Sequence, residues 1–567
     1  MKRRKIMNRY NLVDEKWISV ITLEGNNKEV SLKDLFMNAQ NYHSLAGETE
    51  TQNFAVLRLL LAVTQTIFSR YDAEGKPLDT IEINDMMQQV KDVNEARFGE
   101  HEDYLYKTWD DLWDEGKFPD IISKYLECWH DRFFLFSDQY PFYQVTQEVL
   151  TSYPFKKEGQ KPTQIYAKQI NRVISESGNK TALFSPKSES DNNKDLITAE
   201  ELIRWMVTFQ GYTGTSDKRV YKIAEEETGS KGWLYDIGGI YLTGENLFET
   251  LILNTILDHP EEQYNFKIQK PCWEYSDQQI LKYYLEDGPN PDNLAELYTN
   301  WSRAIYIDPN VDMKDKFNFD IVKLPEISHT DNFLEPMTLW RLNKTGPNKG
   351  KYTPRKHQEN ISLWRSFGAM RGKNISTEKN RQSGIIDWYM KLDKGKNPSI
   401  KSVTMLDDGN ATSWMPIGQV SDQINMNHEV GKDLDENGWV DRISELVDLT
   451  QDTINVNYKK FVDRVGFIRQ GNSMTEPQIQ KYLNKAYFSI DTPFKEWLSN
   501  INPDDNKEET IKSWKLKLKK LIEDQAKSLI ENASDTDYIG REDEKGKIIN
   551  IPIAYETFRF YLNQKLK

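Results

Sequence analysis

His130 and Asp131 stand side by side in CWHDRFFLF. In metal phosphohydrolases such a dipeptide supplies two ligands of a larger set. Imidazole and carboxylate both bind divalent cations, but a site needs further ligands at defined spacing. The remaining histidines are scattered without it, so the pair reads as a packed or capping pair. Asp407-Asp408 and Glu225–Glu227 bring carboxylates together, and they read as solvated loops more readily than as general acids. Cys128 has no identifiable base to activate it. With Cys272 as the other of two cysteines, no Cys-x-x-Cys thiolate site exists. There is no Gly-x-x-x-x-Gly-Lys-Ser/Thr loop, no Gly-x-Gly-x-x-Gly after a strand and no His-Glu-x-x-His. The sequence predicts no enzyme, no metal and no cofactor.

The pattern richer in chemistry is cationic. From Arg341 to Arg381, eleven lysines and arginines meet two acids, Glu359 and Glu378, in a chain of formal charge −14. A basic island in an acidic background implies one face kept positive while the rest repels polyanions. Tyr352, Trp364 and Phe367 are interleaved with the cations, a mix that joins phosphate attraction to base stacking. Lys349, Lys351, Arg355 and Lys356 are the predicted phosphate contacts. An ordinary lysine-rich face, or one that meets acidic partner proteins without touching DNA, has the same composition, and both readings stay open here. A run of small residues, GYTGTSDK at 211–218, offers backbone amides that could lie close to a groove or phosphate. A plain helix stop has the same composition.

Elements must position these groups, and 567 residues allow about four domain-sized units. The 15 Trp, 28 Tyr and 24 Phe can build more than one core. Two cysteines argue for a reducing compartment. The start, MKRRKIMNRYNL, lacks the apolar core of a secretory signal. Phe54–Val63, among the longest apolar runs, is interrupted by Arg58 and too short to span a bilayer. The chain is therefore predicted to be soluble and cytoplasmic. Trp17–Val20 and Val30–Leu35 read as a strand and a second strand or helix start. Gln52–Phe68 and Ala199–Gln210 carry helical periodicity, as does 245–257, whereas 151–197 reads as a mobile loop and 265–435 as short strands and loops. After Gly438, Trp439–Val465, Glu476–Ile490, Lys507–Ala533 and Pro552–Leu566 each repeat apolar residues at 3.6-residue spacing. The predicted fold is α+β: a large mixed N-terminal domain over 1–435, then a C-terminal four-helix bundle over 436–567.

Several segments, in order, resemble one known family. Asn11–Val20 (NLVDEKWISV) is similar to the opening of the large subunit of the type I-E CRISPR Cascade, the CasA family. Leu57–Phe68 resembles its first long helix, RFFLFSDQYPFYQ its Phe-rich segment, NLFETLILN its mid-domain helix, PCWE its Pro-x-Trp-Glu, and ISLWRS its later Trp helix. The resemblance implies a non-catalytic subunit of an RNA-guided surveillance complex. Such a subunit reads the protospacer-adjacent motif (PAM) in duplex DNA, helps open the strands and presents the docking surface for a helicase–nuclease. Its implied partners are guide RNA, the Cascade backbone and small subunits, target double-stranded DNA and that effector, with no membrane. Guide pairing supplies the remaining specificity. The family's minor-groove lysine, followed by Phe-x-Phe, maps onto Lys316 ahead of Phe317-Asn318-Phe319. A lysine there donates to the degenerate acceptors of that groove. The family's Gln-Ala-Ser wedge maps onto Asn410-Ala411-Thr412, after the turn-forming Asp407-Asp408-Gly409, with Asn shorter than Gln. Its glycine-rich loop maps onto 211–216, poorer in glycine here, with Thr213, Gly214, Thr215 and Ser216 as the candidates. The loop that meets the complex near the 5′ end of the guide maps onto the region of Phe184. Between Lys316 and Asn410, the basic island reads as a phosphate rail.

Overall fold

Apolar residues on every side of α1 (Glu50–Phe68) leave it no solvent face, and nearly the whole helix is buried. Thr49 starts it: the Thr49 hydroxyl oxygen accepts from the Gln52 N–H at 3.1 Å. In this computed structural model the described residues are 8–170, 195–214, 219–222, 231–371, 381–392, 397–409, 416–543 and 546–567. They divide into two compact units. The first comprises 1–357, 383–394 and 400–421, and the second 358–382, 395–399 and 422–567.

In the first unit, α1 packs against α2 (Ala199–Tyr212), which opens with a capping box at Thr198 and Glu201. Ile18–Thr22 pairs antiparallel with both Asn27–Val30 and Tyr42–Leu45. The strands that matter for the site are β1 (Thr163–Tyr166), β2 (Gly239–Thr243), β3 (Arg303–Tyr306), β4 (Asn318–Lys323), β5 (Trp340–Leu342), β6 (Tyr352–Pro354), β7 (Ser399–Asp407) and β8 (Pro416–Asn425). They form an antiparallel sheet β1-β4-β3, an antiparallel β5-β6 hairpin, and a sheet ordered β8-β7-β2. The segment 151–197, expected to be loop, contributes β1, because Ile165 turns inward against the Phe319 register while Gln164 and Tyr166 stay exposed.

The second unit carries α3 (Trp439–Asp452), a wide π-helical segment at Thr453–Tyr458, then α4 (Lys459–Gln470), α5 (Glu476–Ser499), α6 (Lys507–Ile530) and α7 (Ile551–Lys565). The expected boundary at 435/436 falls inside this unit. Residues 358–382 belong with the helices because fully buried Trp364 stacks on Phe494, with ring centroids 4.3 Å apart, and donates to Asp491 at 2.7 Å. Among the described residues no helix is long and apolar enough to cross a membrane.

Two histidines are built into the first unit in neutral form. His259 accepts from the Glu261 N–H through Nδ1 at 3.0 Å and contacts the Leu334 carbonyl through Nε2 at 3.2 Å. His101 lies 2.6 Å from the Thr80 hydroxyl. Burial pushes each down from 6.5 to about 4. The unfolded chain therefore takes up these protons first, so the stability they lend is intact above about pH 6.5 and is lost as pH falls toward 4. Urea unfolding at pH 5 should show the first unit weaker than at pH 7 by on the order of 2 kcal/mol per histidine.

Candidate nucleic-acid interface

Lys316 sits just ahead of β4 and is exposed, while the next residues alternate inward and outward. Phe317 and Phe319 are 0% and 3% exposed, and their rings lie 5.9 Å apart, with Phe209 of α2 edge-on to Phe319 at 6.0 Å. The Phe317 backbone is held on both sides: its N–H donates to the Asp195 carbonyl at 2.8 Å, and its carbonyl accepts from Ala167 at 3.2 Å. A Phe-x-Phe stretch can do this because alternate side chains of a strand share a face. The result is an ammonium group on a fixed backbone, with no ion-pair partner among the described residues. On the same exposed face, Gln164 donates to the Asn318 side chain at 2.9 Å and accepts from the Tyr166 hydroxyl at 2.8 Å.

The start of the small-residue loop is buried. Thr213 is 7% exposed and Gly214 is buried too, so neither lies open to a ligand. Arg303, at 0% exposure, explains why: its guanidinium donates to the Gly214 carbonyl at 2.6 Å and to the Ser302 carbonyl at 2.8 Å. Gln210, at the end of α2, accepts from the Ser302 and Arg303 N–H groups at 2.8 and 3.0 Å. Gly232 closes the same turn. Its N–H donates to the Thr213 carbonyl at 2.9 Å, and a Cβ there would come within 2.3 Å of the Gly211 carbonyl oxygen. Past Gly214, the chain returns at Arg219, whose carbonyl accepts from Lys323 at the end of β4 at 3.0 Å. Thr215 and Ser216 lie outside the described residues, as do Asn410, Ala411 and Phe184. The flanks of 410–415 are described: β7 and β8 are neighbours in one sheet, and Gly409, at φ +66°, donates its N–H to the Asp407 side chain at 2.9 Å. The described chain thus leaves β7 through an Asp-led bend at Asp407–Gly409.

Among the described residues of the basic island, not every cation is free to meet a phosphate. Lys349 and Lys351 are exposed in the β5–β6 turn, where Gly346 and Gly350 supply φ of +78° and +80°. Arg355 is half-buried, and burial, then the neighbouring Arg341, holds its guanidinium below its ordinary value. Lys356 is already spent on acids: it pairs with Asp407 at 2.9 Å and Asp236 at 3.5 Å and lies over the Tyr235 ring at 4.4 Å. Burial opposes ionisation of Asp236, yet Lys231 and Lys356 hold its carboxyl below the ordinary value. Arg365, in the second unit, stacks on Tyr487 at 3.4 Å. Two of the three interleaved aromatics are core: Trp364 and Phe367 are both 0% exposed. Of the four predicted phosphate contacts, the structure leaves Lys349 and Lys351 open.

His130 is tied into the N-terminal segment. Its Nε2 lies 2.8 Å from Asp14, and its carbonyl accepts from Asn11 at 2.9 Å, while the Asp131 side chain is 84% exposed. Among the described residues no three His, Cys, Asp or Glu side chains converge as metal ligands. Sequence reasoning passed over Arg303, which organises the loop. Its one signal was a cation opening an otherwise apolar strand, Arg303-Ala-Ile-Tyr.

The model of the family described as CRISPR-associated protein Cse1 matches residues 11–525. A CasA/Cse1 protein of Thermus thermophilus is 26% identical over 373 residues, which cover 64% of this chain and 60% of that protein's length. The fold is similar to that of Thermobifida fusca Cse1, with a TM-score of 0.74 and 22% identity over 99% of this chain and 98% of that one. It is also similar to a chain of a CRISPR RNA-guided surveillance complex, with a TM-score of 0.65 and 12% identity over 98% and 99% of the two chains.

Proposed function

The chain belongs to the CRISPR-associated Cse1 family, and from that premise we propose that it is the large, non-catalytic subunit of a type I-E Cascade. In this role it recognises the PAM in duplex DNA, helps part the strands and recruits the helicase–nuclease, with guide RNA and the other Cascade subunits as its partners. The observation that carries the reading is Lys316: an exposed ammonium group without an acid partner among the described residues, fixed by two buried phenylalanines at the mouth of β4. Inserted in a minor groove, it donates to N3 and O2 acceptors that A·T and T·A pairs share, which suits a tolerant motif preference. Asn410-Ala411, in the segment that links β7 to β8, is the wedge in this reading. The loop from Thr213 to Ser216 approaches the backbone through Thr215 and Ser216, with Thr213 and Gly214 as its root. Lys349 and Lys351 attract phosphates without reading sequence. The four long helices α4 to α7, with α3 continuing α4, serve as the C-terminal bundle. The segment of Phe184 meets the complex near the guide.

The test compares complexes reconstituted with guide RNA. Lys316→Ala should weaken binding of motif-bearing duplex by about tenfold and leave motif-free DNA unchanged. Lys349→Glu with Lys351→Glu should weaken both DNAs alike and lower the salt slope by about 2. Equal binding by wild type and all variants would remove this chain from the DNA path and leave it a protein-interaction scaffold.

A further inference from the structure

The second unit holds a groove of about 600 Å³ between α4 and α7, within the size range of sites that enclose small ligands. Phe461 and Phe558 form its floor, stacked with centroids 4.9 Å apart and only 1% and 4% exposed. Tyr561 stands at the rim, 53% exposed. Lys460 and Arg464 lie one turn apart on α4, on one side of the groove. Neither has an acid partner among the described residues, whereas the third cation at the groove, Lys565, is paired with Asp452 at 3.1 Å. An aliphatic ligand would leave two cations idle, and a simple anion would leave the aromatic floor and rim unused. A planar ring that carries a phosphate uses both.

We propose that this groove takes one nucleotide unit of a single-stranded nucleic acid, its base on the Tyr561 ring and its phosphate between Lys460 and Arg464. Asn457 and Gln564, which also line the groove, supply amide groups for the base edge. Tyr561 decides against an acidic peptide: two cations alone suit either, but an exposed ring at the rim of an aromatic-floored groove is a stacking surface. The proposal does not depend on Lys316, which belongs to the other unit, so either can fail without the other.

The test uses the full chain and a fluorescein-labelled oligothymidylate of about ten nucleotides, with anisotropy read across a salt series. Lys460→Glu with Arg464→Glu should lower affinity at least about tenfold and reduce the slope of log K against log salt by about 1.4. Tyr561→Ala should cost about tenfold at fixed salt, and Tyr561→Phe should restore binding because the ring face remains. These differences should persist in a Lys349→Glu, Lys351→Glu background, which removes other exposed cations. Competition by thymidine monophosphate at matched nucleotide concentration assigns a free nucleotide as the occupant and overturns the strand; competition by DNA or RNA oligomers alone supports it. Unchanged affinity in the groove variants would overturn the proposal. So would displacement of the oligomer by oligoglutamate as effectively as by unlabelled DNA, which would make the groove an acidic-peptide surface.

Discussion

Glu335→Leu should destabilise the first unit by about 3–5 kcal/mol, because it strands a buried guanidinium. Arg58 and Glu335 are 2% and 0% exposed, and two N–H groups of the arginine donate to the two carboxylate oxygens, each at 2.8 Å. The same carboxylate also accepts from the Met337 N–H at 3.0 Å and from the Trp233 indole. Its removal therefore orphans several donors at once. The Tyr298 ring, 4.4 Å from the guanidinium, offers partial compensation at best. Arg58→Met combined with Glu335→Leu should recover much of the loss, since two apolar side chains replace two desolvated charges. Urea unfolding of Glu335→Leu, Arg58→Met and the double variant measures this. A double variant as unstable as the sum of the two singles would show that the loss comes from packing and not from the uncompensated charge.

Trp364→Ala should cost the second unit about 3–5 kcal/mol, the range for truncating a large buried aromatic. The indole stacks on Phe494 of α5, sits 6.5 Å from Tyr487, and donates to Asp491. Burial, ahead of every other influence, raises the Asp491 carboxyl above its ordinary value, so the loss of that donor leaves a poorly solvated acid. Trp364→Phe keeps most of the apolar contact and drops only the hydrogen bond, so it should cost less than half as much. The readout is thermal unfolding together with proteolysis of 358–371. If that segment stays protected in Trp364→Ala, it is held by something other than this indole.

The residues that announce themselves by periodicity were legible in the sequence. α1 and the helices after Gly438 follow from the spacing of apolar residues, whereas Lys316 was singled out by the family resemblance, and the strand alternation explains only why Phe317 and Phe319 are buried behind it. Partnership across long separations was not legible. Lys356 is a free cation in composition, yet its acids are Asp407 and Asp236, far along the chain on either side. Trp364 and Phe367, interleaved with lysines and arginines, looked like a stacking surface. Their three-residue spacing instead places both in the core of a helical turn. Thr213 and Gly214 look like an open loop until Arg303 is placed beneath them. In each case the residue type set what was possible, and a distant neighbour set what happened.

The wide turn at Thr453–Tyr458 changes how one long helix is used. An i→i+5 turn accommodates about one residue more than an α-helical turn, so the residues after it are rotated by roughly 100° relative to those before it. Before it, Thr450 faces α6 and accepts from the Trp514 indole at 3.0 Å. After it, Phe461 faces α7 and stacks on Phe558. A straight helix would present one stripe to one neighbour. The inserted residue gives a single rod two addresses, and it does so without a loop, which would have had to be ordered at an entropic cost.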